Sequence, residues 1–89
     1  MNDFTRRSRI EIINDILTAS KNGAKKTDVM YRANLSFGQL QRYLSFLVDR
    51  GLISNRRNDD GKVRYKTSER GKKVLEKYKE LNNLINNRE

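Results

Sequence analysis

Residues 27–67 read TDVMYRANLSFGQLQRYLSFLVDRGLISNRRNDDGKVRYKT, and the order of signals inside this stretch decides the fold. Thr27 is placed to cap a short helix over Asp28–Ala33, with Val29 and Met30 inward. Asp28 falls in the first turn, where negative charge suits the helix dipole. Asn34-Leu35 makes a turn. Ser36 with Gln39 is a capping box, in which each side chain satisfies the other residue's backbone N–H. It opens a second helix that runs to about Arg50, where Gly51 can take the left-handed conformation that stops it. Residues 52–57 and 62–67 then read as two strands, with Val63 and Tyr65 inward and Arg64 and Lys66 outward. Asn58-Asp59-Asp60-Gly61 joins them and contains the Asp-Gly pair that tight hairpins favour.

The helix opened by Ser36 divides cleanly by angle. At about 100° per residue, Phe37, Leu40, Leu44, Leu47 and Val48 gather on one side and should face the core. Gly38, Gln39, Arg42, Ser45 and Asp49 gather on the other. The outward side thus offers an amide, a guanidinium and a hydroxyl, with a glycine that allows close backbone approach.

On the N-terminal side, Ser8 with Glu11 is another capping box. It opens a helix along which Ile10, Ile13, Ile16 and Leu17 recur at helical spacing, with Ile12 on the flank. That helix should end near Asn22-Gly23. Residues 1–7 are polar and basic and read as a flexible arm. On the C-terminal side, Thr67 or Ser68 caps a last helix reaching about Asn86, and Gly71 near its start suits close packing on the hairpin or the preceding helix. Val74, Tyr78, Leu81 and Ile85 form a heptad-like seam, widened by Leu75 and Leu84. The asparagines at 82, 83, 86 and 87 are weak helix formers, so fraying is expected there.

Composition narrows the possible functions. The chain has 89 residues, enough for one small core. It is 35% hydrophobic and 35% charged, so that core is lean, and dimerisation is a common remedy. A net charge of +9 implies an anionic partner, with nucleic acid the default over a membrane surface or an acidic protein. Cysteine and histidine are absent, which removes disulfides, thiol nucleophiles, the usual zinc sites and the commonest general base near neutral pH. No metal or other cofactor is expected, and no enzymatic constellation can be assembled. Asp59-Asp60-Gly61 lacks the repeated acidic ligands and terminal Glu of a calcium loop. No apolar run approaches a membrane span, and the N-terminus has no apolar core of a secretory signal. A cytoplasmic, nucleoid-associated location is the expectation.

The expected architecture is therefore mainly α (α+β): three helices, a two-stranded wing and a C-terminal helix. The chain resembles small archaeal winged helix-turn-helix DNA-binding regulators, including those that dimerise through an appended C-terminal helix. The resemblance spans roughly residues 8–85. It is carried by EIINDIL, by KKTDVMYRANLSFGQLQRYLSFLVDRGLI, and by YKTSERGKKVLE, whose Thr-x-x-x-Gly pattern leaves the wing. It implies a winged-helix DNA-binding domain over residues 8–67 and a dimerisation helix over 68–89. The last helix is shorter than the long coiled coils of some relatives. Double-stranded DNA and a second copy of the chain are the partners this implies, with no membrane.

Within that frame, Arg42 and Gln39 are the candidates for base readout, Arg to guanine and Gln to adenine. Ser36 can donate to a phosphate at the helix N-terminus, and Gln41 and Ser45 border the same surface. Arg56, Arg57, Lys62, Arg64 and Lys66 of the wing are candidate backbone contacts, which position without reading sequence. Lys25, Lys26 and Arg32 could clamp flanking phosphates. Arg6, Arg7 and Arg9 form either a minor-groove arm or a solvated tail. Among the aromatic residues, Tyr43 should pack under the wing, Tyr31 lies near or outside the core arc, and Phe46 should be covered by the N-terminal segment or a partner subunit. Val74, Tyr78, Leu81, Leu84 and Ile85 are the candidate dimerisation residues. Three functions compete: a transcription regulator, an architectural protein coating DNA with little preference, and a winged-helix module binding an acidic protein.

Overall fold

Four helices and one antiparallel hairpin make up residues 7–86, the part of the chain that the structure, a computed structural model, describes. They are α1 (Arg9–Ala19), α2 (Lys26–Ala33), α3 (Phe37–Asp49), β1 (Ile53–Arg57), β2 (Val63–Thr67) and α4 (Glu69–Asn86). The expected arrangement of three helices, a two-stranded wing and a C-terminal helix is the one observed.

Both capping boxes form. Glu11 N donates to Ser8 Oγ at 3.2 Å, and Ser8 N donates to Glu11 Oε1 at 2.8 Å. At α3, Gln39 N donates to Ser36 Oγ at 3.2 Å and Ser36 N to Gln39 Oε1 at 3.0 Å. The core is built from one stripe of each helix: Ile16 and Leu17 of α1, Val29 and Ala33 of α2, and Leu40, Leu44 and Leu47 of α3. Ile53, the first residue of β1, closes it from the wing side.

Several local expectations are corrected. Phe37 is not in the core but 60% exposed. Leu35, which precedes the Ser36 cap, is buried in the same core cluster as Leu40, the two positions that a hydrophobic staple pairs. Ile10 is likewise exposed, because the first turn of α1 lies beside α4 and not over the core. Thr27 does not cap α2. The helix starts at Lys26 after Lys25, with no side-chain cap. Ala24 exchanges two backbone hydrogen bonds with Tyr65, at 2.9 and 2.8 Å, so the chain turns into the helix directly after that bridge. α1 ends at Ala19, earlier than Gly23, because the Ser20 carbonyl turns to accept from Gly23 N and Thr67 N.

The wing pairs Ile53 with Thr67, Ser54 with Lys66, Asn55 with Tyr65, Arg56 with Arg64, and Arg57 with Val63. Since facing residues of an antiparallel pair share a side, Ile53, Asn55, Tyr65 and Thr67 lie on the face that carries the buried Ile53 and Thr67, and Ser54, Arg56, Arg64 and Lys66 on the other, where Arg64 is half-buried. The strands are each one residue shorter than expected. Leu52 belongs to the bend after α3, and Lys62 to the turn, where its N–H donates to Asp60 Oδ1 at 2.9 Å.

Three side-chain features fasten α4 to this body. Thr67 Oγ1 donates to the Leu17 carbonyl at 2.6 Å in a buried contact. Ser68, not Thr67, caps α4: its Oγ accepts from Gly71 N at 3.0 Å and donates to the Gly51 carbonyl at 2.6 Å. Gly71 is buried where a Cβ would overlap the Leu52 carbonyl and lie 2.7 Å from Thr67 Cγ2, so only glycine admits the close approach. Val74 and Leu75 pack on the core. Beyond Tyr78 the helix leaves the body, and Leu81, Leu84 and Ile85 are 54%, 79% and 71% exposed. The helix extends to Asn86, whose Nδ2 donates to Asn82 Oδ1 at 2.7 Å, and Asn87, the last asparagine of the expected frayed end, lies outside the described residues.

Candidate nucleic-acid interface

α3 stands between two open grooves, and its outward side forms the ridge that separates them. On the α1 side, Gln39, Arg42, Tyr43 and Phe46 meet Arg9 and Ile12 around a cavity of about 330 Å³. On the wing side, Gln41, Ser45, Val48 and Asp49 meet Asn55 and Tyr65 around about 210 Å³. Tyr43 is therefore not under the wing. It borders the groove toward α1, whereas the wing residues Asn55 and Tyr65 face the opposite flank of α3, across a groove lined by Leu44 and Val48. Phe46 is half-buried and lies under two guanidinium groups, Arg50 at 4.6 Å and Arg9 at 5.9 Å from the ring centroid. The nearer of the two comes from the C-cap of α3 itself, and the first residue of α1 supplies the other.

The residues expected on the ridge are exposed there: Ser36, Gln39, Gln41, Arg42 and Ser45. They differ in what else they hold. The Gln39 side-chain oxygen is committed to the capping box, and that of Gln41 accepts from Lys26 Nζ at 2.6 Å. Each oxygen keeps a second lone pair, but the present bond fixes the amide's orientation, and bidentate pairing with adenine requires that orientation to suit the base edge. Arg42 and Ser45 have no such engagement among the described residues. Asp49 puts a negative charge at the far end of the ridge, so the N-terminal half of α3 is the half suited to an anion.

The wing cations do not form one surface. Arg56, Arg64 and Lys66 share one face of the ladder, with Arg56 directly opposite Arg64; Arg56 and Lys66 are exposed, whereas Arg64 is half-buried with its Nε enclosed. Two like charges facing across a ladder repel, and a bound anion would relieve that. Arg57 lies on the other side, and its Nη1 donates to the Gly61 carbonyl at 2.7 Å, which stiffens the turn. Lys62 sits exposed at the tip. Lys25 and Arg32 are exposed at the two ends of α2, and Lys26 is half-buried between α2 and α3. Arg7, grouped with the flexible arm, is instead pinned to Asp15 Oδ2 at 2.7 Å and to the Asn34 carbonyl at 3.0 Å. Arg6 lies outside the described residues. Sequence reasoning missed Arg9 and Arg50 as a pair around Phe46. The signal was spread over two helices, and only their packing joins it.

Among the described residues, ion pairs form at Arg7–Asp15, Glu69–Lys72 and Lys77–Glu80. None of these involves the ridge or the wing, so the cations there remain unneutralised by carboxylates of the described chain. The same residues bring no three His, Cys, Asp or Glu side chains together as a metal site. None of the helices is long and apolar enough to cross a membrane.

Comparison with known proteins agrees with this geometry. The uncharacterized protein MJ0287 of Methanocaldococcus jannaschii is 33% identical over 84 residues, covering 93% of this chain and 81% of that protein. The uncharacterized protein MJ0290 of the same organism is 40% identical over 81 residues, covering 90% of this chain, which spans only 36% of that longer protein. Among solved structures, Sso10a-2, a DNA-binding protein from Sulfolobus solfataricus, superposes with a TM-score of 0.81 at 28% identity, covering 91% of this chain and 84% of its own. The family model described as winged helix-turn-helix matches residues 6–86. With its recognition-type helix, wing and appended helix all inside that match, the chain belongs to the winged helix-turn-helix family.

Proposed function

We propose that the chain binds double-stranded DNA as a homodimeric transcription regulator, with α3 in the major groove and the wing on the sugar–phosphate backbone. The observation that carries this reading is the pairing of a narrow helical ridge with cations that no described carboxylate neutralises. Arg42 stands on the ridge, and Arg56, Arg64 and Lys66 stand on the neighbouring wing face. A major groove about 12 Å wide accepts a single helix, and unneutralised guanidinium and ammonium groups beside it replace condensed counterions on phosphates. The DNA-binding description of Sso10a-2 supports the same partner.

Assembly rests on α4. Its exposed stripe at Leu81, Leu84 and Ile85 adjoins an apolar groove of about 370 Å³ bordered by Ile10, Val74 and Tyr78. Burying three such side chains per subunit contributes roughly 1.5–3 kcal/mol each before association costs. A two-fold dimer would then carry two α3 helices to half-sites separated by helical turns.

One observation favours a second reading, an architectural protein with little sequence preference. The oxygens of Gln39 and Gln41 are both engaged within the protein, which leaves Arg42 as the main candidate reader. Titration with salt, on a duplex selected from a random pool and on unrelated duplex, separates the possibilities. With ~4–8 phosphate contacts per dimer, the log–log slope is expected at roughly −4 to −7. Selected duplex bound at least ~10³-fold more tightly than unrelated duplex supports the regulator, and equal affinities support the architectural role. A flat salt response removes DNA as the partner and leaves an acidic protein.

A further inference from the structure

We infer that Phe37 contacts a thymine methyl group in the major groove, a specificity contact that rests on the DNA-binding reading above. Phe37 is the first residue of α3 and is 60% exposed. Leu35 and Leu40 are buried in the core while Phe37 stays outside it, so its one aromatic contact within the described residues is the Lys26 ammonium and most of the ring faces solvent. When a helix-turn-helix docks, the N-terminal residues of the second helix are the ones that meet base edges. Gly38, next in the chain, has open space where a Cβ would stand, so the backbone at this turn can approach the groove floor closely.

The surroundings of the ring favour DNA over an apolar protein partner. Lys26 Nζ lies 5.1 Å from the ring centroid and also donates to Gln41 Oε1, so a cation, an amide and a glycine border the phenyl group. A protein-docking patch would instead present contiguous apolar surface. In DNA the same mixture is met by one base step: phosphate oxygens for the ammonium and an apolar group for the ring. Thymine is the base that offers a methyl group in the major groove. A ring set against the polar edges of the other bases would strip them of water without replacing the hydrogen bonds.

The test uses the full chain and duplexes selected from a random pool, in which each enriched thymine is replaced in turn by uracil, removing only the methyl group. Wild-type affinity is expected to fall about fourfold per methyl contacted at one thymine of each half-site. Phe37→Ala is expected to bind the thymine duplex more weakly and to ignore the uracil exchange. Its salt slope and thermal midpoint should stay those of the wild type, since the residue is exposed. Salt-sensitive duplex binding with no uracil effect at any thymine overturns the methyl contact and leaves the DNA-binding reading standing. So does a Phe37→Ala variant as sensitive to uracil as the wild type, or a selection that enriches no thymine. Absence of salt-sensitive duplex binding overturns the underlying reading, and this contact with it.

Discussion

Arg42 and Arg56 carry the same charge, yet their settings give them different expected effects. Arg42 projects from the α3 ridge, and Arg56 from the outward wing face opposite Arg64. Arg42→Ala is expected to cost about 1–3 kcal/mol on a selected duplex and to relax preference at one base position per half-site. Arg56→Ala should weaken all duplexes alike and reduce the salt slope by about one per lost phosphate contact in each monomer. Equilibrium titrations on a panel of duplexes check both, and identical behaviour of the two variants would sink base reading through Arg42. Gly71 acts on stability instead. Gly71→Ala forces a Cβ into the Leu52 carbonyl, so α4 must shift, at a cost of about 1–3 kcal/mol in urea denaturation. A variant as stable as the wild type would show that the helix can slide without loss.

At the scale of elements, α3 was legible in advance because local chemistry and periodicity agree over its whole length. Ser36 and Gln39 open it, Leu40, Leu44 and Leu47 give it a buried stripe, and Gly51, at φ +72°, follows its end. Ser36→Ala removes one hydroxyl acceptor and releases Gln39, so a loss of about 0.5–2 kcal/mol is expected in thermal or urea unfolding. An unchanged midpoint would mean water replaces the cap. The start of α2 was misread for the opposite reason. Thr27 is a good local cap, but the Ala24–Tyr65 bridge sets where the chain can turn, and that bridge spans residues far apart in sequence. The wing's inward and outward sides followed from alternation, whereas the diversion of Arg57 to the Gly61 carbonyl depended on the geometry of the turn.

For the whole molecule, the decisive element is α4, eighteen residues and so about 27 Å long, of which only the first half rests on the body. The second half carries Leu81, Leu84 and Ile85 into solvent. Replacing Leu81 and Ile85 together with Lys is expected to give a folded monomer with much weaker DNA binding. Analytical ultracentrifugation of both forms checks this. If the wild-type chain sediments as a monomer at concentrations of about tens of micromolar, the stripe is not a dimer seam, since burial of this size should give at least moderate affinity.

Periodicity, caps and charge determined the element order, the Leu40–Leu44–Leu47 face of α3, the apolar seam of α4 and the cationic wing. Each of these follows from neighbours within a few residues, where backbone geometry dictates which side chains share a face. Tertiary structure decided what depends on distant partners. It left Phe37 exposed while burying Leu35, and set Tyr43 beside α1 while Asn55 and Tyr65 of the wing took the other flank of α3. It also gave the cap of α4 to Ser68 by tying Thr67 to the Leu17 carbonyl, a contact between residues fifty positions apart. A residue's rank on a helical wheel states which side it occupies. Competition for a finite core volume among elements from the whole chain settles whether that side is covered.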